Sequence, residues 1–173
     1  ISAVSGNEIT PRHWDAFYRF YRLTSDRKWG QAYLSRSFFD LLSERMGEQV
    51  VLIMGEENGE FVCGALNLLG GDTLFGRNWG TVVHYPMLHF EVCYYRAIEF
   101  AIERGLSWVE AGAQGPHKLQ RGYLPRKTYS AHWIADPGFR TAIKQYLEQE
   151  RCAVEEDVET LGELGPFKRT GKS

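Results

Sequence analysis

The sequence has no apolar run approaching the ~20 residues that a helical membrane span requires, so no such span is expected. It has no strong excess of either charge. The formal net charge is -2, so no global field draws the chain to nucleic acid or anionic lipid, and any basic patch must be local. The three cysteines, Cys63, Cys93 and Cys152, are odd in number and widely spaced. That argues against a disulfide framework and a zinc finger alike, and predicts reduced thiols, two of them buried, in a cytoplasmic protein. No G-x-x-x-x-G-K-[ST], G-x-G-x-x-G or G-x-S-x-G string occurs. His89-Phe90-Glu91 supplies only the H-x-E half of a deaminase zinc signature, without P-C-x-x-C, so no metal is expected at His84, His89, His117 or His132. Neither a methionine nor a signal peptide opens the chain, and Ile1 is expected to begin a fragment of a longer protein or a processed form.

What is present is enough for a core. Of 173 residues, 43% are hydrophobic and 14% aromatic, which suits one domain. We place it at residues 1–153, with a loosely packed tail at 154–173. Thr10-Pro11 reads as a hydroxyl cap with proline at the first helical position, and Trp14, Phe17, Tyr18 and Tyr21 recur at helical spacing to about residue 22. The polar Thr24–Gly30 segment reads as a connection. A second helix is expected over residues 35–46, with Phe38, Phe39, Leu42 and Met46 inward and Gly47 at its end.

A meander follows. Val50–Met54 is a continuous apolar run of strand length, Glu57-Asn58-Gly59-Glu60 is a hairpin turn, Phe61–Leu69 returns, and a third strand begins at Thr73-Leu74-Phe75. Gly76–Gly80 is expected to leave that strand as a loop. The next helix, about 86–104, carries a stripe of Leu88, Val92, Tyr95, Ile98 and Ile102, widened by Phe90, Tyr94, Ala97 and Ala101. A strand at 107–111 would then return parallel to the third. Lys127–Ile134 alternates as a further strand, and Asp136-Pro137 opens a last helix with Phe139, Ile143, Tyr146 and Leu147 inward. The class is α+β (α/β-like): a mixed, mainly antiparallel sheet flanked by helices.

The chemistry concentrates between Trp108 and Trp133. A strand ends in Glu110, glycines open the backbone at Gly112 and Gly115, and His117, Lys118, Gln120 and Arg121 follow before Tyr123-Leu124-Pro125. Cations beyond a strand end, with a carboxylate just upstream, are the pattern of a site at the mouth of two strands; the other reading is a solvated loop with capping glycines. Glu110, if buried, would be a raised-pKa general base; otherwise it forms a surface ion pair with Arg121 or Lys118. Two anion positions stand out. One is the Gly76/Gly80 stretch with Arg77, ahead of a helix N-terminus; the other is the His117, Lys118, Arg121 cluster.

The strings GALNLL (64–69), LHFEVCYYRAIEFAIERGLSWVEAGAQG (88–115), HKLQRGYLP (117–125) and TYSAHWIADPGFR (128–140) carry a family resemblance. Over residues 8–152 the chain resembles the C-terminal half of bacterial N-acyltransferases, also described as peptidoglycan biosynthesis/recognition proteins. These are placed in the GNAT superfamily near the Fem-type aminoacyl transferases. The resemblance implies a GNAT-like fold, with this chain as the second module of a tandem protein. It implies an acyl- or aminoacyl-transferase with an amine acceptor, such as a cell-wall precursor peptide, and acyl-CoA or aminoacyl-tRNA as donor without a metal. In that reading Glu110 or His117 takes the amine proton, and Tyr123 orients or protonates the leaving group. Lys118, Arg121 and Gln114 bind substrate, and Gly76, Arg77 and Gly80 bind the donor cofactor. Two departures stand against the pattern. Gly76-Arg77-Asn78-Trp79-Gly80-Thr81 occupies the place of the R/Q-x-x-G-x-G/A pyrophosphate loop, and position 116 is proline where the resemblance implies glutamate. The rival readings are a non-catalytic module that recognises a cell-wall peptide or partner domain, and self-association through apolar residues left bare by a missing N-terminal module.

Overall fold

Val50 to Met54 are all buried, which a strand achieves only when both of its faces are covered. Val50, Leu52 and Met54 face one core with Phe17, Phe20 and Phe39; Val51 and Ile53 face a second with Leu74, Val92 and Phe100. The computed structural model describes residues 1–112 and 116–166. The chain divides into two units, Ile1–Ala113 and Gln114–Ser173.

The first unit holds a five-stranded sheet in the order β1 (Ser2–Ser5), β2 (Val50–Glu57), β3 (Glu60–Gly70), β4 (Thr73–Thr81), β5 (Trp108–Glu110). Neighbours are antiparallel except β4 and β5, which run parallel as the intervening helix requires. Asn58 and Gly59 both take positive φ (51° and 84°), the geometry that a two-residue hairpin turn demands and the reason Asn-Gly announced it. The class is α+β, as expected. β1 was not foreseen, since Ser-Ala-Val-Ser is short, small and half polar, and only its antiparallel ladder with Val51–Met54 makes it a strand.

On one face lie α1 (Pro11–Trp29) and α2 (Arg36–Met46). Phe39 is fully buried among Trp14, Phe17, Tyr18 and Tyr21, with ring centroids 5.6–5.9 Å away. Arg36 ties the pair together through Asp15 at 2.8 Å and Asp40 at 2.6 Å. Three expectations are corrected here. α1 does not stop near residue 22 but runs through the polar segment to Trp29, and Gly30, with a left-handed φ of 77°, ends it. Phe38 and Met46 are exposed, because α2 presents only a narrow stripe centred on Phe39.

The second face is covered by α3, which spans 88–103 in three pieces: Leu88–Phe90, a π turn at Glu91–Tyr95, and Arg96–Glu103. The π turn inserts one residue into the ladder and rotates the remainder of the helix. After Val92 the buried positions are Tyr94, Ala97, Phe100 and Ala101, two, five, eight and nine residues on, while Tyr95 and Ile102 of the expected stripe are exposed.

The second unit contains a 3-10 turn (Pro116–Arg121), a segment over 123–134 that is neither helix nor strand, and α4 (Pro137–Glu163). Asp136 Oδ1 accepts from the Phe139 amide at 2.6 Å, the expected cap. Lys127–Ile134 is not a strand: it has no ladder partner among the described residues, and Tyr129 and Trp133 are 90% and 82% exposed. Alternation alone makes no strand without a neighbour. α4 continues to Glu163, past the point where a loose tail was expected, and Phe139 and Tyr146 are exposed instead of inward.

Candidate functional site

β4 and β5 pair over three positions only: Thr73 with Trp108, Leu74 with Val109, Phe75 with Glu110. Beyond them β5 ends, while β4 runs on to Thr81 against β3. Two features open the strands at this point. The β3–β4 register passes from Asn67↔Gly76 to Leu66↔Asn78, so Arg77 is an extra, bulged residue. Gly112 takes φ of 72° and turns the chain after β5. Gly76 lets the two backbones approach before they part, since a Cβ there would lie 3.2 Å from the Glu110 carbonyl. The stretch expected to be a loop, 76–80, is thus strand; a bulge kept it in the ladder that its glycines suggested it would leave.

The outcome for Gly80 is specific. A Cβ there would collide with the Phe20 carbonyl and crowd Thr24 Oγ1, so its glycine lets β4 lie directly on α1. Arg77 is exposed at the bulge. Glu110 ends β5 and is also exposed, because a three-residue edge strand covers little.

An aromatic group stands at the far end of the same strand. Trp79 lies 4.6 Å from the His89 ring, which lies 5.4 Å from Tyr94, and Phe90 is 5.9 Å from Tyr94. Trp79 of β4 therefore meets the first piece of α3, and His89 links it to Tyr94 of the π turn. Sequence reasoning considered His89 only as a metal ligand; the missed signal was four rings within a short span around a helix start. Among the described residues no cluster of histidine, cysteine and acid has metal-holding geometry. Burial pushes the Cys63 and Cys93 thiols up, which leaves both protonated.

In the second unit the 3-10 turn organises the cations. Side chains three apart eclipse in such a turn, so Lys118 and Arg121 share a face. Arg121 donates from Nη1 to the His117 carbonyl at 2.8 Å, and Gly122, at φ 85°, closes the turn with its amide on the Leu119 carbonyl. The Tyr123 amide donates to the Lys118 carbonyl at 3.2 Å. His117, Lys118, Arg121 and Tyr123 are all half-buried, and burial lowers the Lys118 pKa. Gln114 lies outside the described residues. A shallow depression on α4, lined by Gln145, Glu148, Cys152 and Glu156, includes none of the candidate residues. No helix among the described residues is long and apolar enough to cross a membrane.

No curated protein matches the chain. A family model does: FemAB-like, peptidoglycan biosynthesis/recognition, over residues 1–169.

Proposed function

We propose that this chain, which belongs to the FemAB-like family of peptidoglycan biosynthesis/recognition proteins, is a GNAT-type acyl- or aminoacyl-transferase module acting on an amine of a cell-wall precursor peptide. The observation that carries this reading is the parting of β4 from β5 after Phe75 and Glu110, with the bulge at Arg77. A strand edge that loses its neighbour offers main-chain amides and carbonyls to an extended ligand, as in strand addition, and one such amide can stabilise the oxyanion formed during acyl transfer.

The amine nitrogen attacks the donor carbonyl. The tetrahedral oxyanion then collapses and expels the thiolate of acyl-CoA or the ribose oxygen of aminoacyl-tRNA. Glu110 or His117 accepts the ammonium proton, and Tyr123 returns one to the leaving group. Lys118 and Arg121 hold a phosphate or carboxylate; their shared face suits a two-point anion grip, and the desolvated Lys118 ammonium strengthens any anion contact. Gln114 contacts substrate. Gly76, Arg77 and Gly80 line the donor side, where Gly80 already serves the α1 contact and Arg77 is the better candidate.

Titration with acyl-CoAs, charged tRNA and muropeptides tests this. The Lys118→Ala/Arg121→Ala double variant should bind the donor at least ~10-fold more weakly with an unchanged thermal midpoint. Unchanged affinity would refute the anion assignments. One observation favours a second reading: Glu110 is exposed, so water competes with any acceptor for its carboxylate. Muropeptide binding without turnover of any donor would make the chain a recognition module instead.

A further inference from the structure

Asn67, 2% exposed, is the one buried amide or charged side chain among the described residues. It stands where the surrounding pattern is apolar. Asn67 pairs with Val51 on one side and Gly76 on the other, and partners across a ladder point to the same face. That face carries Val51, Ala65 and Leu74, in the core beneath α3. A side-chain amide has two hydrogens to donate and two lone pairs to fill. Asn67 makes one hydrogen bond among the described residues, from Nδ2 to the Ala65 carbonyl at 3.5 Å, the far limit for such a bond. A buried amide so poorly matched within the chain is costly unless another group completes it.

The Ala65 carbonyl also settles which way the amide faces. The nitrogen turns to that carbonyl, and the oxygen turns to Gly76. A Cβ on Gly76 would lie 3.2 Å from the Glu110 carbonyl oxygen, 3.6 Å from Asn67 Oδ1 and 3.7 Å from Ala111 Cα. Two acceptor oxygens thus border the space over this glycine. Gly76 is half-buried, so a ligand reaches the backbone here without displacing a side chain. The space lies at the last rung of the β4–β5 ladder, where the strands part. Two residues back along β3, Ala65 pairs with Trp79, which places the half-buried indole on the same face.

Two acceptors on one space call for a ligand that brings hydrogens. A carbonyl oxygen has two lone pairs, so it accepts from a ligand as well as from the ladder. Resting on the amine-acceptor reading above, we propose that Asn67 is the side chain that receives the primary amine of the cell-wall peptide. Oδ1 takes one N–H, the Glu110 main-chain carbonyl takes a second, and the nitrogen lone pair is left to face the donor carbonyl. The grip needs two hydrogens on one nitrogen. It therefore favours a free amine over its acylated form, which keeps a single N–H and no available lone pair. The same preference lets the acylated peptide leave. Apolar neighbours strengthen each bond by excluding competing water.

Isothermal titration with a muropeptide that carries a free side-chain amine, and with the same muropeptide N-acetylated there, tests the grip without requiring turnover. The protein is expected to bind the free amine at least ~10-fold more tightly. Asn67→Leu keeps the branch at Cγ and removes both polar atoms. It should bring the two affinities within about 2-fold of each other, with a thermal midpoint no lower than before, because a poorly matched buried amide has gone. Where the leucine does not fit, Asn67→Ala carries the same expectation for the affinity ratio. Asn67→Asp keeps an acceptor oxygen and should retain the preference. Comparing ratios across variants cancels the bulk of the acetyl group. Equal affinity of the unaltered protein for the two peptides, a preference that survives Asn67→Leu or Asn67→Ala, or its loss in Asn67→Asp as fully as in Asn67→Leu would each overturn this inference and leave the reading of the site standing. Binding of neither peptide would overturn that reading and this inference with it.

Discussion

In the first unit, Ile1–Ala113, helices cover both faces of the sheet, and every buried hydrophobic side chain among the described residues except Leu119 belongs to it. The second unit, Gln114–Ser173, has a helix of 27 residues held by an Asp136 cap, by Arg140 on two carbonyls and by the Lys127–Glu155 ion pair. The contrast separates two ways of ordering a chain. Burial makes the first unit cooperative. Local polar contacts, each worth about a kilocalorie per mole or less, shape the second, where Leu119 alone is buried among the described residues. The second unit should therefore open first and be the more responsive to ligands and partners.

The largest effect that tests this contrast is expected at Phe39. Removing its ring from the aromatic cage with Phe39→Ala should cost about 3–5 kcal/mol in urea denaturation, whereas Tyr146→Ala should stay within about 0.5 kcal/mol. Equal losses would erase the distinction between the units. Next comes Gly80→Ala, which forces β4 away from the Phe20 carbonyl and should cost about 1–3 kcal/mol, read from the same transition. Asp136→Ala should cost about 1 kcal/mol, seen as faster hydrogen exchange near Phe139 without a shift in the main unfolding midpoint. A midpoint shift as large as that of Phe39→Ala would show that α4 folds as part of the core.

The smallest effect concerns Lys118. Its folded pKa lies below the unfolded value of 10.5 because burial disfavours the ammonium. The penalty for carrying that charge is present in full below the folded pKa, fades as pH rises through it, and is gone above 10.5. Competitive amine labelling should accordingly show Lys118 reacting at a lower pH than an unburied lysine. An ordinary titration at that residue would remove the desolvation argument for the anion grip.

Much of the fold was legible because its signals act over a few residues. Asn58-Gly59 needs positive φ, Thr10-Pro11 and Asp136-Pro137 start helices, and an unbroken Val50–Met54 run needs cover on both faces. The misses share a cause as well. Ser2–Ser5 is a strand and Lys127–Ile134 is not, and the difference lies in whether a neighbour completes the ladder. The stripe on α3 failed because one residue inserted at Glu91–Tyr95 rotates everything after it. For the candidate site, the 3-10 turn that aligns Lys118 with Arg121 follows from their spacing of three, but the exposure of Glu110 depends on how short β5 turns out to be.

From composition and pattern alone came the class of fold, the turns, the helix starts and the two groups of functional candidates, because each depends on backbone preferences set within one or two helical turns. Where β4 and β5 separate, why Gly80 must be glycine, and which rings gather at Trp79 were decided by the folded chain. Those features arise where segments distant in sequence press against one another, and no local preference records a contact with a backbone dozens of residues away.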